Sequence, residues 1–187
     1  MTVLTSPQEA VRWFKEQGSR SLHSDSRQVQ AGDAFLAWPG GLRDPREHVA
    51  NALANGAVAC LVEQSGADAF NWHSSRVAVY AGLKADAGYI ASEFFGNPSH
   101  DLAMLAITGT NGKTSTAWWL AQAMTALPGA AAMACGLVGT LGVGLAPGLG
   151  SPVGSLATDL VPTGFTTPDP VVLQRTLRQF IDSGLKA

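Results

Sequence analysis

Cysteine is nearly absent from this chain: two in 187 residues, Cys60 and Cys135, far apart and without CxxC or Cys/His spacing. That excludes a zinc site of the finger type and a disulfide framework, and leaves two thiols that read as small buried apolar residues of a reducing compartment. Surplus positive charge is missing too. Twelve Lys and Arg stand against fourteen Asp and Glu, a net charge of −2, which argues against the clustered basic surface on which non-specific nucleic-acid binding depends. Any recognition of phosphate must therefore be local. No basic region followed by an apolar core opens the chain, so no signal peptide is expected. There is no 18-residue uncharged apolar helix either. Leu127 to Ala157 lacks charge, but it is rich in glycine and broken by proline, which suits strands and loops. The expectation is a cytoplasmic protein with no nucleic acid and no membrane among its partners.

What is present is enough for a packed core: 46% of residues are hydrophobic and 14% charged. Ser6 and Pro7 suit the start of a helix over 7–17, with Ala10, Val11 and Phe14 on one face. Leu22 to Arg27 reads as a short extended piece running into a turn. A strand is predicted at Ala34 to Trp38, ended by Pro39-Gly40-Gly41. A helix over 46–55, strands at Ala57 to Val62 and Arg76 to Tyr80, and a helix from Leu83 to Phe95 complete an alternating α/β pattern. Gly96-Asn97-Pro98 stops that helix and gives the best boundary, placing domains at 1–98 and 99–187. Beyond it the pattern predicts a strand at Leu102 to Ile107, a helix over 113–127, a strand at Met133 to Val138 and a glycine-rich hairpin with its tip at Gly148 to Pro152. A last helix is capped by Thr167, with Pro168 in first position and Leu173, Leu177, Phe180 and Ile181 on one face. A small parallel sheet with a helix just finished lacks its next strand, so the second domain reads as the start of a larger one and the chain as a fragment.

The densest chemistry lies at 106–116, Ala-Ile-Thr-Gly-Thr-Asn-Gly-Lys-Thr-Ser-Thr. An apolar run, a glycine-bearing turn, a lysine and a helix form a phosphate cradle. Glycines let backbone N–H groups approach the oxygens, the helix N-terminus adds partial positive charge, and Lys113 adds a full one. Thr114 stands where its hydroxyl can meet a magnesium ion bridging the phosphates. The common spacing G-x-x-x-x-G-K-[ST] puts glycine where this chain has Ile107, and Gly109 occurs instead. The loop must therefore turn differently. The plain alternative is a strand-to-helix turn with a surface lysine.

Thr108 to Thr114 resembles the ATP loop of the Mur ligases and the related folylpolyglutamate synthetases, in which the first glycine is also missing. Further matches run in the family's order along nearly the whole chain. Ser24-Asp25-Ser26-Arg27 followed by Gly32-Asp33-Ala34-Phe35 resembles the uridine-binding front of the muramyl-tripeptide and pentapeptide branches. Gly136-Leu137-Val138-Gly139-Thr140 fits the family's G-x-x-G-T segment. Phe165-Thr166-Thr167-Pro168-Asp169-Pro170 is similar to the T-T-P-x element of the branch that adds the third residue of the stem peptide.

The resemblance implies an ATP-dependent amide ligase of peptidoglycan precursor synthesis. Its partners would be UDP-MurNAc-L-Ala-D-Glu and an amino acid, diaminopimelate being the commoner choice over lysine; its cofactors would be ATP and Mg2+. It also implies a monomer. Gly109, Thr110, Asn111, Gly112, Lys113, Thr114 and Ser115 would hold ATP, with Lys113 catalytic and Thr114 on the metal. Ser24, Ser26, Gly41, Leu42, Arg43, Thr166 and Thr167 would meet the UDP-sugar peptide. Ser24 to Arg27 also reads as a turn closed on its own backbone, and Thr167 also as a helix cap. Arg43 and Arg46 read either as steering groups for an anion or as a solvated face. The four histidines show no ligand spacing, and Trp118 and Trp119 read as core rather than as an adenine stack. Alternatives are another branch of the family, or a nucleotide-sugar binding module with a vestigial loop. The fragment alone is expected to form no tripeptide.

Overall fold

Strands that are apolar at successive positions can be buried on both faces, and that is how the first part of the computed structural model is organised. The structure describes residues 1–40, 44–129, 132–145, 160–162 and 168–187. They fall into two units, Met1–Gly96 with Pro170–Arg175, and Asn97–Asp169 with Thr176–Ala187. The first is α/β. Its sheet has five strands, β1 (Thr2–Leu4), β2 (Leu22–His23), β3 (Ala34–Ala37), β4 (Ala59–Glu63) and β5 (Val77–Tyr80), in the order β1-β5-β4-β3-β2. Every pairing is parallel.

Alternation along each strand sorts side chains to two cores. Leu36, Leu61, Ala78 and Tyr80 join Phe14 of helix α1 (Pro7–Glu16) and Ile90 of α3 (Leu83–Phe94). Phe35, Cys60, Val62 and Val79 face Val49 and Ala52 of α2 (Val49–Ala54) on the other side. The helix starts are capped as their sequences dictate. Ser6 Oγ accepts from the Glu9 N–H at 3.3 Å, with Pro7 following. At α3 the Glu63 carboxylate accepts from the N–H groups of Gly82 and Leu83, at 3.2 and 2.8 Å.

In the second unit helix α4 (Lys113–Thr125) packs against β6 (Gly136–Gly139), which forms a hairpin with β7 (Gly142–Leu145), and Phe180 from the later turns of α5 (Pro170–Asp182) lies against β6. Cβ at Gly136 would lie 2.1 Å from the Phe180 ring, so this strand position admits that ring only as glycine. Val161 pairs antiparallel with Val143.

Several expectations need correction. Leu102 to Ile107 forms no strand and joins no ladder, and Met104 and Leu105 are exposed. A strand needs a partner for its N–H and C=O groups, and among the described residues this run has one backbone tie, from Ala103 N–H to the Lys186 carbonyl at 2.8 Å. Met133 to Cys135 also precede the strand rather than belong to it. The Met133 N–H bonds the Met124 carbonyl, and the Ala134 carbonyl accepts from Lys186. The helix predicted from 46 opens as a 3-10 turn, Pro45–His48, before α2 begins. The last helix begins at Pro170, two residues after Pro168. Its face is buried at Leu177 and Phe180 and half-buried at Leu173 and Ile181. Trp118 is fully buried, whereas Trp119 is 61% exposed and not core. The predicted hairpin tip at 148–152 lies outside the described residues, and the observed hairpin turns at Thr140-Leu141. Strand β1 escaped the sequence because three residues are too few to show alternation.

Candidate functional site

Helix α4 starts at Gly112 with a left-handed φ of +79°, and Gly109 upstream has φ +142°. Both backbone conformations favour glycine. The first helical N–H to find its carbonyl belongs to Thr116, which bonds Gly112 at 2.9 Å. Helix geometry leaves the N–H groups of Lys113, Thr114 and Ser115 without intrahelical acceptors, and no side chain caps them. No acidic residue stands in the first turn. This end of the helix therefore presents donors and partial positive charge with no carboxylate in its own first turn to compete. Lys113 folds back over the loop: its Nζ donates to the Gly109 carbonyl and to the Thr110 carbonyl at 3.3 Å. Gly109, Thr110, Asn111 and Gly112 are exposed, and Lys113, Thr114 and Ser115 are half-buried. An ammonium, a row of amides and a hydroxyl thus meet at one helix start, a donor set that suits phosphate oxygens. Among the described residues no three His, Cys, Asp or Glu side chains converge on a metal site. An ion at Thr114 would take most of its ligands from phosphate and water.

Ser24 and Ser26, of the second group of predicted residues, lie in the first unit at the carboxyl edge of the parallel sheet, where α/β folds bind ligands. Strands β2 and β3 are neighbours, in register Leu22 with Ala34 and His23 with Phe35. The segments leaving their carboxyl ends, Ser24 to Ser26 and Trp38 to Gly40, consequently emerge side by side. Ser24 and Ser26 are half-buried. Asp25 is the turn former between them. It accepts from the Arg27 N–H at 3.0 Å and pairs with the Arg27 guanidinium at 2.7 Å, and that hydrogen-bonded pairing holds its carboxyl below the usual carboxylate range. The turn reading is right for Asp25. Gly41, Leu42, Arg43, Thr166 and Thr167 lie outside the described residues.

Arg46 is neither a steering group nor a solvated face. It is buried, pairs with Asp44 at 2.7 Å, donates to the Glu63 and Ser65 carbonyls at 3.1 and 2.5 Å, and lies over the Phe70 ring. Cys60 is equally inert, its thiol pushed up to about 12 by burial.

Sequence reasoning missed one cluster. His23 Nε2 lies 3.1 Å from Asp33 Oδ2, and its Nδ1 lies 2.7 Å from Nη1 of Arg175, which belongs to the first unit. Burial, then the Arg175 charge, lowers the His23 pKa despite Asp33. The signal lay in no spacing, since His23 and Arg175 are 152 positions apart.

Residues 107–187 match the Mur ligase middle domain. The UDP-N-acetylmuramoyl-L-alanyl-D-glutamate--2,6-diaminopimelate ligase of Acidovorax sp. (strain JS42) is 49% identical over 187 residues, which is 98% of this chain and 35% of that protein. Its namesake from Pseudomonas putida is 42% identical over 90% of this chain and 31% of its own length. A solved structure of a ligase of the same name aligns with 90% of this chain and 30% of its own, at TM-score 0.61 and 26% identity. The chain spans about a third of the length of the curated relatives it matches.

Proposed function

We propose that this chain, whose residues 107–187 match the Mur ligase middle domain, belongs to the Mur ligases and is part of an ATP-dependent ligase. That ligase joins diaminopimelate to UDP-MurNAc-L-Ala-D-Glu. The reading is carried by one observation: a helix start without a side-chain cap, reached through two positive-φ glycines and roofed by Lys113. ATP, with Mg2+, supplies the phosphoryl group that turns the D-glutamate side-chain carboxylate into an acyl phosphate. The incoming amine then attacks that carbonyl carbon, and phosphate leaves as the amide forms.

The chain's own residues act by position and charge. Amides from Gly112 to Ser115 orient the phosphates, Lys113 offsets the negative charge that grows on the transferred group, and Thr114 offers its hydroxyl to the ion. Releasing Lys113 from the loop carbonyls toward phosphate requires only rotation of its own side chain. At the sheet edge Ser24 and Ser26 take the uridine end of the second substrate; Gly41, Leu42 and Arg43 are assigned to the same end by sequence. Thr166 and Thr167 take the muramyl-peptide end.

The test is Lys113→Ala in the longer protein. Removing one preorganised donor should cost about 3–4 kcal/mol of transition-state stabilisation. Turnover left undiminished refutes the role. An intact protein that holds the UDP-sugar but neither binds nor hydrolyses ATP would instead support a binding module with a vestigial loop.

A further inference from the structure

The loop from Ser24 to Asp33 carries two of the residues assigned above to uridine, and the Asp25–Arg27 pair inside it is a local tie between residues two apart. Farther along, the Gly32 N–H bonds the Gly56 carbonyl at 3.0 Å and Val29 is buried, which holds the far part of the loop. Nearer the turn, a long-range tie comes from Arg175. Its Nη1 donates to the Leu22 carbonyl at 3.3 Å, at the base of the loop, and lies 2.7 Å from His23 Nδ1. Its Nη2 donates to Gln28 Oε1 at 3.3 Å, beyond the turn. At the far end Asp33 Oδ2 accepts the Gln30 N–H at 3.0 Å and meets His23 Nε2 at 3.1 Å.

The protonation pattern follows from the partners. Arginine has no acceptor and keeps its proton, so the ring nitrogen facing it must accept. The imidazole proton then sits on Nε2, toward the Asp33 carboxylate, and the ring is neutral. One imidazole therefore bridges a donor from α5 to an acceptor at the start of β3, with Ser24 next to it in sequence.

We propose that His23 and Arg175 are positioning residues for the nucleotide-sugar site. Together they clamp both flanks of the Ser24–Ser26 turn and fix where its hydroxyls stand at the carboxyl edge of the sheet. The proposal rests on the reading that this turn binds uridine. Neither residue touches the ligand, and each acts through the loop.

The test is calorimetric titration of the 187-residue chain with UDP. Arg175→Ala and His23→Leu should each weaken binding by roughly tenfold, the scale of one or two lost orienting hydrogen bonds. His23→Gln should stay within about twofold, because its carboxamide can both accept from Arg175 and donate to Asp33. A residue that serves only general packing would not show that rescue. Equal affinity in His23→Leu and the unsubstituted chain overturns the proposal, as does His23→Gln binding as weakly as His23→Leu. If Arg175→Ala does not fold, the two His23 variants decide. An unsubstituted chain that fails to bind UDP overturns the uridine reading itself, and the clamp with it.

Discussion

The two units differ in how completely their apolar residues are covered. In the first, β3, β4 and β5 are packed on both faces and all five strands are paired. In the second, the described sheet is one hairpin with a single bridge from Val161, Met104 and Leu105 are more than half exposed, and Trp119 stands in solvent beside a fully buried Trp118. Apolar surface contributes to stability only where something removes it from water. The Ser24–Ser26 turn, proposed above to take uridine, therefore stands on a sheet covered on both faces, whereas the loop at Gly109–Lys113 stands in a unit whose apolar side chains are only partly covered.

Substitutions sharpen the contrast. Phe35→Ala removes a fully buried ring from the first unit and should cost about 3–5 kcal/mol, read from urea unfolding of that unit. Trp119→Ala, an equally large deletion on the exposed side of α4, should stay within about 0.5 kcal/mol. A comparable loss at both would mean that Trp119 is covered in solution and the difference between units is false.

Next in size is Gly136→Val. The Phe180 ring occupies the space a side chain would need, and overpacking of this kind costs roughly 1–3 kcal/mol. The loss should fall on the unfolding of the second unit and leave the first unchanged. A shift in the first unit's urea midpoint instead would show that the units do not unfold separately.

The smallest effect is one of pH. His23 has a lowered pKa in the folded chain, from burial first and the Arg175 charge second, with Asp33 opposing and Gln28 and Asp25 also nearby. Below the unfolded value of about 6.5, the unfolded chain takes up a proton that the folded one resists. Stability is therefore full above that pH and falls as pH drops through it. The urea midpoint of the first unit should be lower at pH 5.5 than at pH 7.5, and His23→Gln should flatten the difference. An identical slope in the variant would remove His23 as the cause.

Much of the first unit was legible because local rules and tertiary packing agree there. Ser6-Pro7 is a local helix-start signal that the fold uses, and the runs at Ala34, Ala59 and Val77 are apolar enough to be buried on both faces. The run at Leu102 to Ile107 looked equally strand-like, yet pairing is a property of two segments, and no described strand lies beside it. At the candidate sites, the glycine turn and helix start at Gly109 to Lys113 were legible, since they depend on consecutive residues. Arg46 was misread because spacing says nothing about burial, and its partners at Glu63 and Ser65 come from another strand's end.

Composition and order of residues were by themselves enough to determine an α/β chain, a helix start at Gly112-Lys113, and a turn at Ser24 to Arg27. These depend on neighbours a few positions apart, where backbone geometry leaves few choices. Only the tertiary structure decided that β1 pairs with β5, that Trp119 faces water, and that a guanidinium from the last helix reaches His23 at the loop's base. Those outcomes depend on which distant segments meet, and no local preference encodes a meeting across 152 positions.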